Sequence, residues 1–311
     1  MSETTVKDEI GPNTLHVTCP ELRPQVDDVG VQGGTVMAGA RQVVKSYDDV
    51  PKIRHNDVHL NPGSGGEFVS SSIEFTGTGN VLVIEDGARL RNTRLRFLGN
   101  DSVIYLRRST RYIEIVASLF HESVLYLGPG SSFTSAARIV PSERRHVIIG
   151  SDAMFASRVA FRTADPHLVY SAHDHRRVND SRSVWVGDHV WLGEDSLFLK
   201  GARVGSGSIL GARAVVTRSV PSNASAGGVP ARVIGKDVFW TRPSVHGWTQ
   251  EQSDRAASYP GDEHIFSVDG DTVDLEELEK RLDQTATGAE RAQWCEQLDA
   301  LKAKNRFTIA H

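Results

Sequence analysis

Apolar residues recur on a six-residue beat in the second half of the chain. Every sixth position from residue 186 is apolar: Val186, Leu192, Phe198, Val204, Leu210 and Val216. A helix repeats its apolar positions every 3.6 residues and a half-buried strand every two, so neither period fits. Three such segments make one triangular coil, in which each short strand stacks about 4.8 Å from the equivalent strand of the next coil. The pattern predicts an all-β solenoid with an apolar interior.

The beat is interrupted once. It also runs through Ile149, Phe155 and Phe161, and then the register breaks until Val184. A long stretch without periodicity inside a regular solenoid is typical of a functional loop. We therefore predict a loop insertion over residues 162–183 that carries the active site.

The flanking regions are less regular. Apolar runs at residues 81–84, 103–106 and 124–127 indicate earlier, irregular coils of the same solenoid, with an unrelated β-rich domain as the alternative. Residues 274–282 and 290–304 show the pattern of two amphipathic helices. The predicted organisation is an irregular N-terminal segment over 1–65, a solenoid domain over 66–236 and a partly helical extension over 237–311.

Composition narrows the environment. The 311 residues carry a formal net charge of −4, so no global positive field attracts nucleic acid or an anionic membrane. No stretch approaches the roughly 18 uninterrupted apolar residues of a membrane span, so no membrane insertion is expected. The two cysteines, Cys19 and Cys295, form neither a metal-ligand spacing nor a disulfide framework, which favours a reducing, cytoplasmic location.

Several ordered motifs carry a family resemblance over residues 147–240. They are VWVGDHVWLG at 184–193, LKG at 199–201, ILGA at 209–212, VVT at 215–217 and GGVPARVI at 227–234. This set resembles the hexapeptide-repeat acyltransferases, in the branch of polysaccharide and sugar O-acetyltransferases and xenobiotic acetyltransferases. The resemblance implies a left-handed parallel β-helix, acetyl-CoA as co-substrate, no metal, and a homotrimer with its sites between neighbouring subunits. The family usually has Asn at the position of Gly228 and often a basic residue at that of Gly235.

The insertion offers three histidines for acid–base chemistry. Acetyl transfer to a hydroxyl needs a base, because a neutral alcohol is a poor nucleophile. The resemblance implies that His167 is the catalytic base, with a solvated loop histidine as the alternative. His173 and His175 are assigned to acceptor binding or, alternatively, to the solvated loop surface. A metal site built from these two with His189 is disfavoured, since His173 and His175 belong to a loop and His189 has no rung partner.

Further candidates surround the predicted base. Asp165 either orients an imidazole or binds a sugar hydroxyl, or it only begins the Asp-Pro turn. The motif Arg177-x-Asn179 favours a sugar acceptor, as in polysaccharide-modifying relatives. Trp191 ends its rung beside the loop, and the resemblance implies that it walls the site next to the thioester and the acceptor; the alternative is a packed aromatic without that role. The resemblance implies that the cofactor is bound by Trp191, Gly193, Gly211, Ala212, Thr217, Arg218, Arg232 and Lys236. The basic residues among them would meet phosphates through charge-assisted hydrogen bonds.

The sequence therefore predicts an acetyl-CoA-dependent O-acetyltransferase. The expected acceptor is a sugar or polysaccharide of the capsule, exopolysaccharide or lipopolysaccharide type, acetylated by direct transfer in a ternary complex. N-acetylation of an amino sugar or antibiotic is the alternative within enzymes, and a non-catalytic scaffold or binding module is the alternative outside them. A fused nucleotidyltransferase is disfavoured, because no glycine-rich nucleotide loop precedes the solenoid.

Overall fold

The computed structural model describes residues 41–311, and nearly all of its strands stack in parallel. The strands are β1 (Gln42–Val44), β2 (Asp57–Leu60), β3 (Glu67–Val69), β4 (Ser72–Phe75), β5 (Val81–Ile84), β6 (Arg89–Arg91), β7 (Arg94–Phe97), β8 (Val103–Leu106), β9 (Ile115–Leu119), β10 (Val124–Leu127), β11 (Ser132–Phe133), β12 (Ala137–Val140), β13 (Val147–Ile149), β14 (Met154–Phe155), β15 (Ala160–Arg162), β16 (Val184–Val186), β17 (Trp191–Leu192), β18 (Leu197–Phe198), β19 (Arg203–Val204), β20 (Ile209–Leu210), β21 (Val215–Val216), β22 (Ser219–Val220), β23 (Ser225–Gly227) and β24 (Arg232–Gly235).

Three sheets form the walls of a triangular solenoid. Sheet I contains β1, β4, β7, β9, β12, β15, β18 and β21; sheet II contains β2, β5, β8, β10, β13, β16, β19 and β22; sheet III contains β11, β14, β17, β20, β23 and β24. In the first coils β3 and β6 pair separately, at the chain positions that sheet III occupies later. The predicted parallel β-helix is confirmed, including the earlier coils.

Coil length varies while strand stacking does not. Val186 pairs with Val204, three six-residue segments further along the chain, as the beat predicts. Val81 pairs with Val103, so the early coil between them is longer. Across the insertion Val147 pairs with Val184. Because the strands keep their register, every added residue is accommodated at a corner between two sheets.

The interior is a continuous apolar column. Side chains alternate between the two faces of a strand, so one set from each sheet points inward. Phe161 and Phe198, on successive coils of sheet I, stack with ring centroids 4.6 Å apart, and both are fully buried. Such burial stabilises the fold by about 1.5–3 kcal/mol for each large side chain.

The C-terminal extension covers the outer face of sheet II. Its helices are α1 (Gln250–Arg255), α2 (Leu275–Asp283) and α3 (Gly288–Ala300), preceded by a short 3-10 helix at Val245–Gly247. A second 3-10 helix, Tyr47–Lys52, lies between β1 and β2. Capping explains where two helices begin: the Asp274 side chain accepts from the first turn of α2, and Thr287 with Glu290 forms a capping box at α3.

An apolar contact surface joins α2, α3 and the chain after them to the solenoid. It consists of Val81, Val103, Tyr105, Val124, Tyr126, Ile148 and Trp185 on sheet II, against Leu278, Leu282, Ala292, Trp294, Cys295, Leu298 and Phe307. Trp185 is 2% exposed and meets Trp294 edge-on at 6.3 Å. The two predicted helices are present, and this surface explains their apolar faces.

The start of the solenoid differs from the predicted boundary at residue 66. Strand β1 pairs antiparallel with β4, and β2 pairs in parallel with β5, so both belong to the sheets. The sequence does not reveal this coil, because its strands are short and surrounded by polar residues, and a periodic pattern needs more than one repeat. Residues 1–40 of the predicted N-terminal segment lie outside the described residues.

Candidate active site

The predicted insertion leaves the solenoid after β15 and returns at β16, at the corner between sheets I and II. Its two ends meet: the Arg182 amide donates to the Thr163 carbonyl over 3.0 Å. Thr163 is fully buried, and its hydroxyl accepts from the Ser142 amide over 2.8 Å. The loop therefore projects from a closed base that is fixed to the preceding coil.

Beyond this base the loop forms a short hairpin. The Val178 amide donates to the Val169 carbonyl over 2.9 Å, and Tyr170 pairs with Arg177 in an antiparallel bridge. The turn between them places His175 at a φ of 57°. This hairpin orders a segment in which the sequence shows no periodicity.

His167 lies on the exposed segment that enters the hairpin. The Asn179 side-chain amide donates to the His167 carbonyl over 2.8 Å and so fixes its backbone. Among residues 41–311, no hydrogen bond or ion pair engages the His167 imidazole. The ring nitrogens are therefore free to accept a proton from a substrate, and the role of His167 as general base stays a prediction.

Asn179 and Arg177 hold the loop together. Asn179 is buried, and its side-chain oxygen accepts from the Val169 amide over 3.0 Å. Arg177 donates to both carboxylate oxygens of Glu143, one of them at 2.7 Å, and the Ser181 hydroxyl donates to the same carboxylate. These hydrogen bonds lower the pKa of Glu143 to about 2. The structure accounts for both residues as supports of the loop. A contact of either with the acceptor stays a prediction.

Asp165 pairs with Lys200, a residue of the LKG motif that was not among the predicted site residues. Lys200 Nζ lies 2.6 Å from Asp165 Oδ2, and this hydrogen bond lowers the pKa of Asp165. Asn179 donates to the same oxygen over 3.2 Å. Asp165 is thereby anchored to the next coil, which favours a positioning role over direct contact with the imidazole.

The spacing of one regular coil is the sequence signal that would have placed Lys200 near the loop. Arg182, Lys200 and Arg218 follow one another at steps of three six-residue segments, each at the corner between sheets I and II on successive coils. Contacts bear out this stacking, because the Gly201 amide donates to the Ser183 carbonyl over 3.1 Å. The corner thus carries a basic column directly after the candidate base.

The other histidines are separated. His173 and His175 are exposed in the hairpin turn, whereas His189 is buried at the corner between sheets II and III. The His189 ring stacks between Trp240 and His264 at 4.1 Å from each, and its nitrogens lie 2.6 Å from Asp152 and 2.9 Å from the Trp240 carbonyl. The structure does not bring these three histidines together.

Trp191 is not beside the loop within one chain. It lies on β17 of sheet III, whereas the loop stands at the corner between sheets I and II. Its side chain is 39% exposed, and its ring approaches Trp240 at 6.1 Å. The predicted neighbourhood was wrong for the single chain. The loop lies between the first two walls of its coil, and the rung of Trp191 forms the third.

The predicted cofactor residues occupy the last coils. Gly193, Gly211 and Ala212 lie at the corner between sheets III and I, Thr217 and Arg218 at the corner between I and II, and Arg232 and Lys236 within and after β24. Arg218, Arg232 and Lys236 are exposed, and no carboxylate of residues 41–311 pairs with them. They remain available to an anionic ligand.

Two of these glycines differ in what surrounds them. A Cβ on Gly193 would overlap the Leu210 carbonyl oxygen, so the next coil requires glycine there. A Cβ on Gly211 would meet its first neighbour at 3.6 Å, an ordinary contact. Packing therefore explains glycine at position 193 but not at position 211, and a ligand role for Gly211 stays a prediction.

Curated relatives agree with this architecture, although no protein-family model matches the chain. The polysialic acid O-acetyltransferase of Escherichia coli O1:K1 / APEC is 30% identical over 103 residues, 33% of this chain and 34% of that protein. The polysialic acid O-acetyltransferase of Neisseria meningitidis is 26% identical over 132 residues, which are 42% of this chain and 61% of that protein. The putative lipopolysaccharide biosynthesis O-acetyl transferase WbbJ of Escherichia coli K12 is 30% identical over 149 residues, covering 45% of this chain and 75% of that protein.

The chain belongs to the hexapeptide-repeat acyltransferases. It spans less than two thirds of the two polysialic acid relatives' length. Among solved members of this acyltransferase family, the polySia-specific acetyltransferase NeuO superposes with a TM-score of 0.56 at 26% identity, over 65% of this chain and 94% of that chain. The polysialic acid O-acetyltransferase OatWY shares the fold, with a TM-score of 0.52 at 21% identity, over 66% and 97%.

Proposed function

We propose that this acyltransferase moves the acetyl group of acetyl-CoA to a hydroxyl of a sugar or polysaccharide, with His167 as general base. The observation that carries the proposal is the unengaged imidazole of His167 on a hydrogen-bonded loop of a family member. The names of the relatives support the acceptor class, since they include polysialic acid O-acetyltransferases and a putative lipopolysaccharide biosynthesis O-acetyl transferase.

The reaction needs one proton to move twice. His167 accepts the proton of the acceptor hydroxyl as its oxygen attacks the thioester carbonyl carbon. The new C–O bond forms, the C–S bond breaks, and the imidazolium returns the proton to the departing CoA thiolate. No covalent acetyl-enzyme is required, and the buried thiol of Cys295, whose pKa burial raises, is unsuited to form one.

The residues present fit a CoA-type ligand. Arg218, Arg232 and Lys236 offer cations for phosphates, and the small residues Gly211 and Ala212 leave the backbone of the last coil approachable. Asp165 and Asn179 hold the segment that carries His167. Each group therefore has a role that does not compete with another's.

A homotrimer completes the proposal. Within one chain Trp191 and His167 belong to different sides of the solenoid, so a site that uses both needs a neighbouring subunit. The hairpin also exposes Leu168, Tyr170 and Val178 by 56–60%, an apolar surface that a neighbouring subunit would cover.

The cytoplasm stays the proposed compartment, in agreement with the free thiol of Cys295. Of residues 41–311, none lies in a helix long and apolar enough to cross a bilayer.

Substitution of the base tests the function. We expect His167→Ala to lower kcat by about 10²- to 10⁴-fold while acetyl-CoA affinity stays near that of the parent, because a general base acts in the transition state. The measurement is thiol release from acetyl-CoA with a panel of sugars, oligosaccharides and amino sugars, over a range of pH.

His175→Ala is the matched control, since this histidine lies in the same hairpin. It should change the KM for the acceptor more than kcat. The acidic decline of kcat/KM, which arises because a protonated imidazole accepts no proton, should vanish in His167→Ala only. Near-parent activity of His167→Ala with the decline unchanged would place the base elsewhere.

A further inference from the structure

Four arginines mark the outer face of sheet I. Arg94 and Arg96 lie on β7, Arg138 on β12 and Arg162 on β15. Their neighbours in the strands, such as Leu95, Phe97, Ile139 and Phe161, are fully buried, so alternation directs the arginines outward. We call these four residues the arginine row.

Strand pairing aligns the row in two columns. Val116 pairs with both Arg94 and Arg138, so these two arginines stand two rungs apart, roughly 10 Å at the usual strand spacing. Arg96 pairs with Ser118, and Arg162 with Val140, in the parallel column. The four cations therefore extend over four successive rungs of one flat wall.

The row is not neutralised within the chain. Among residues 41–311, no carboxylate forms an ion pair with any of the four, and only Arg96 has a side-chain partner, the Ser118 hydroxyl at 2.9 Å. The residues between them are small or uncharged: Val116, Ser118, Val140 and Ala160. Glu74 is in register with Arg96 on the preceding strand of this face, and it pairs with Arg41.

The row ends beside the candidate base. Arg162 is the last residue of β15, directly before the loop that carries His167, and the other three arginines lie on earlier coils, away from the predicted cofactor residues. An acceptor chain that reaches His167 along sheet I would pass all four cations. A mono- or disaccharide would be too short to reach beyond the nearest of them.

We propose that the arginine row is an extended binding surface for an anionic polysaccharide acceptor. The inference rests on the proposed function and adds the charge and length of the substrate. Guanidinium groups suit carboxylate or phosphate groups repeated along a chain, because each presents a planar pair of donors. The chain as a whole carries a net charge of −4, so this attraction is local to sheet I.

The test compares two double variants of the full-length protein. Arg94→Gln/Arg138→Gln removes half of the row and leaves the loop untouched. Arg111→Gln/Arg281→Gln removes two other exposed arginines without a carboxylate partner in the described chain, one near β9 and one on α2. The probes are polysialic acid, neutral dextran, and vesicles with and without anionic phosphatidylserine.

We expect polysialic acid to bind and dextran not to bind. The row variant should weaken polysialic acid binding about 5- to 30-fold, the effect of two partly exposed charge contacts, and the control variant less than about 2-fold. Added salt should narrow the difference. Thermal unfolding should stay unchanged in both variants, because the four substituted side chains are exposed.

The failures are distinguishable. If the parent protein transfers acetyl to none of the sugars tested, the proposed function is overturned, whatever the arginine row binds. Acetyl transfer with equal use of neutral and anionic chains, or equal losses in the two double variants, would overturn the row alone. Row-dependent binding to anionic vesicles instead of polysialic acid would assign the row to a membrane surface, and a changed solution mass of the row variant would assign it to a subunit interface.

Discussion

Sheets I and II share an interior but differ in what lies against their outer faces. Both contribute fully buried inward side chains, such as Leu95 and Leu125. On the outside, sheet II presents apolar residues that the C-terminal helices bury, whereas sheet I presents arginines to solvent. The inward positions thus set the fold, and the outward positions set what each wall contacts.

The strand sequences record this difference. Strands β8 and β10 read VIYL and VLYL, and all their residues are buried. Strand β7 reads RLRF and alternates between polar and buried positions. A strand buried on both faces reads as a continuous apolar run, and one with a solvated face alternates. The comparison therefore allows the covered wall of such a solenoid to be identified from its strands.

Removal of a large side chain from the covered wall should have the largest effect on stability. Trp185→Ala deletes a fully packed indole whose Nε1 donates to Glu279 over 3.2 Å. We expect the free energy of unfolding in urea to fall by about 3–5 kcal/mol. Arg138→Ala on the bare wall should change it by less than about 0.5 kcal/mol. Similar losses would show that sheet I is also covered.

A smaller effect separates the covered and open glycines. Gly193→Ala forces a Cβ against the Leu210 carbonyl, so we expect a loss of about 1–3 kcal/mol. Gly211→Ala meets only ordinary contacts and should stay within about 0.5 kcal/mol, while its affinity for CoA falls. Calorimetric titration with CoA measures the second part. Unchanged affinity would leave Gly211 without a ligand role.

The smallest effect concerns pH at the covered wall. His146 is buried, its Nδ1 accepts from the Val124 amide over 3.2 Å, and its Nε2 lies 3.1 Å from Asp283 at the end of α2. Burial lowers the pKa of His146 and outweighs the attraction of Asp283. The folded state therefore favours the neutral ring, and its stability falls as the pH drops from the ordinary histidine value of about 6.5 toward the lower folded-state pKa.

Replacement of this histidine isolates its share of the pH dependence. His146→Asn keeps a donor and an acceptor without titrating, so the fall in unfolding free energy between pH 7 and 5 should become shallower. His59→Gln, at an exposed position of the same sheet, should keep the parent's slope. A parallel loss of slope in both variants would contradict the assignment to His146.

The regular coils were predictable because each position repeats. The inward residues from Val186 to Val216 and the loop boundaries near Phe161 and Val184 follow directly from the six-residue beat. The longer early coils were recognisable only through their apolar runs, since added corner residues shift the period. The polar coil containing β1 and β2 gave neither signal.

The candidate site was predictable in its residues more than in its arrangement. The loop and His167 followed from the break in the repeat and the family resemblance, and Asn179 was singled out with a different role. Ion pairs such as Lys200 with Asp165 join residues on different coils, so only the stacking period relates them. The wall that carries Trp191 could have been counted from the beat, because its rung follows that of Val186 by one six-residue segment after the loop.

The closed base of the insertion has a consequence for exchange of the loop. An amide–carbonyl hydrogen bond between Arg182 and Thr163 closes the base of the hairpin, while the strands on either side keep their parallel register. The solenoid therefore does not depend on the length of the segment between Thr163 and Arg182. We expect that a hairpin of another length can be exchanged between Thr163 and Arg182 without repacking the interior, once the contacts of the loop with Glu143 and Lys200 are replaced.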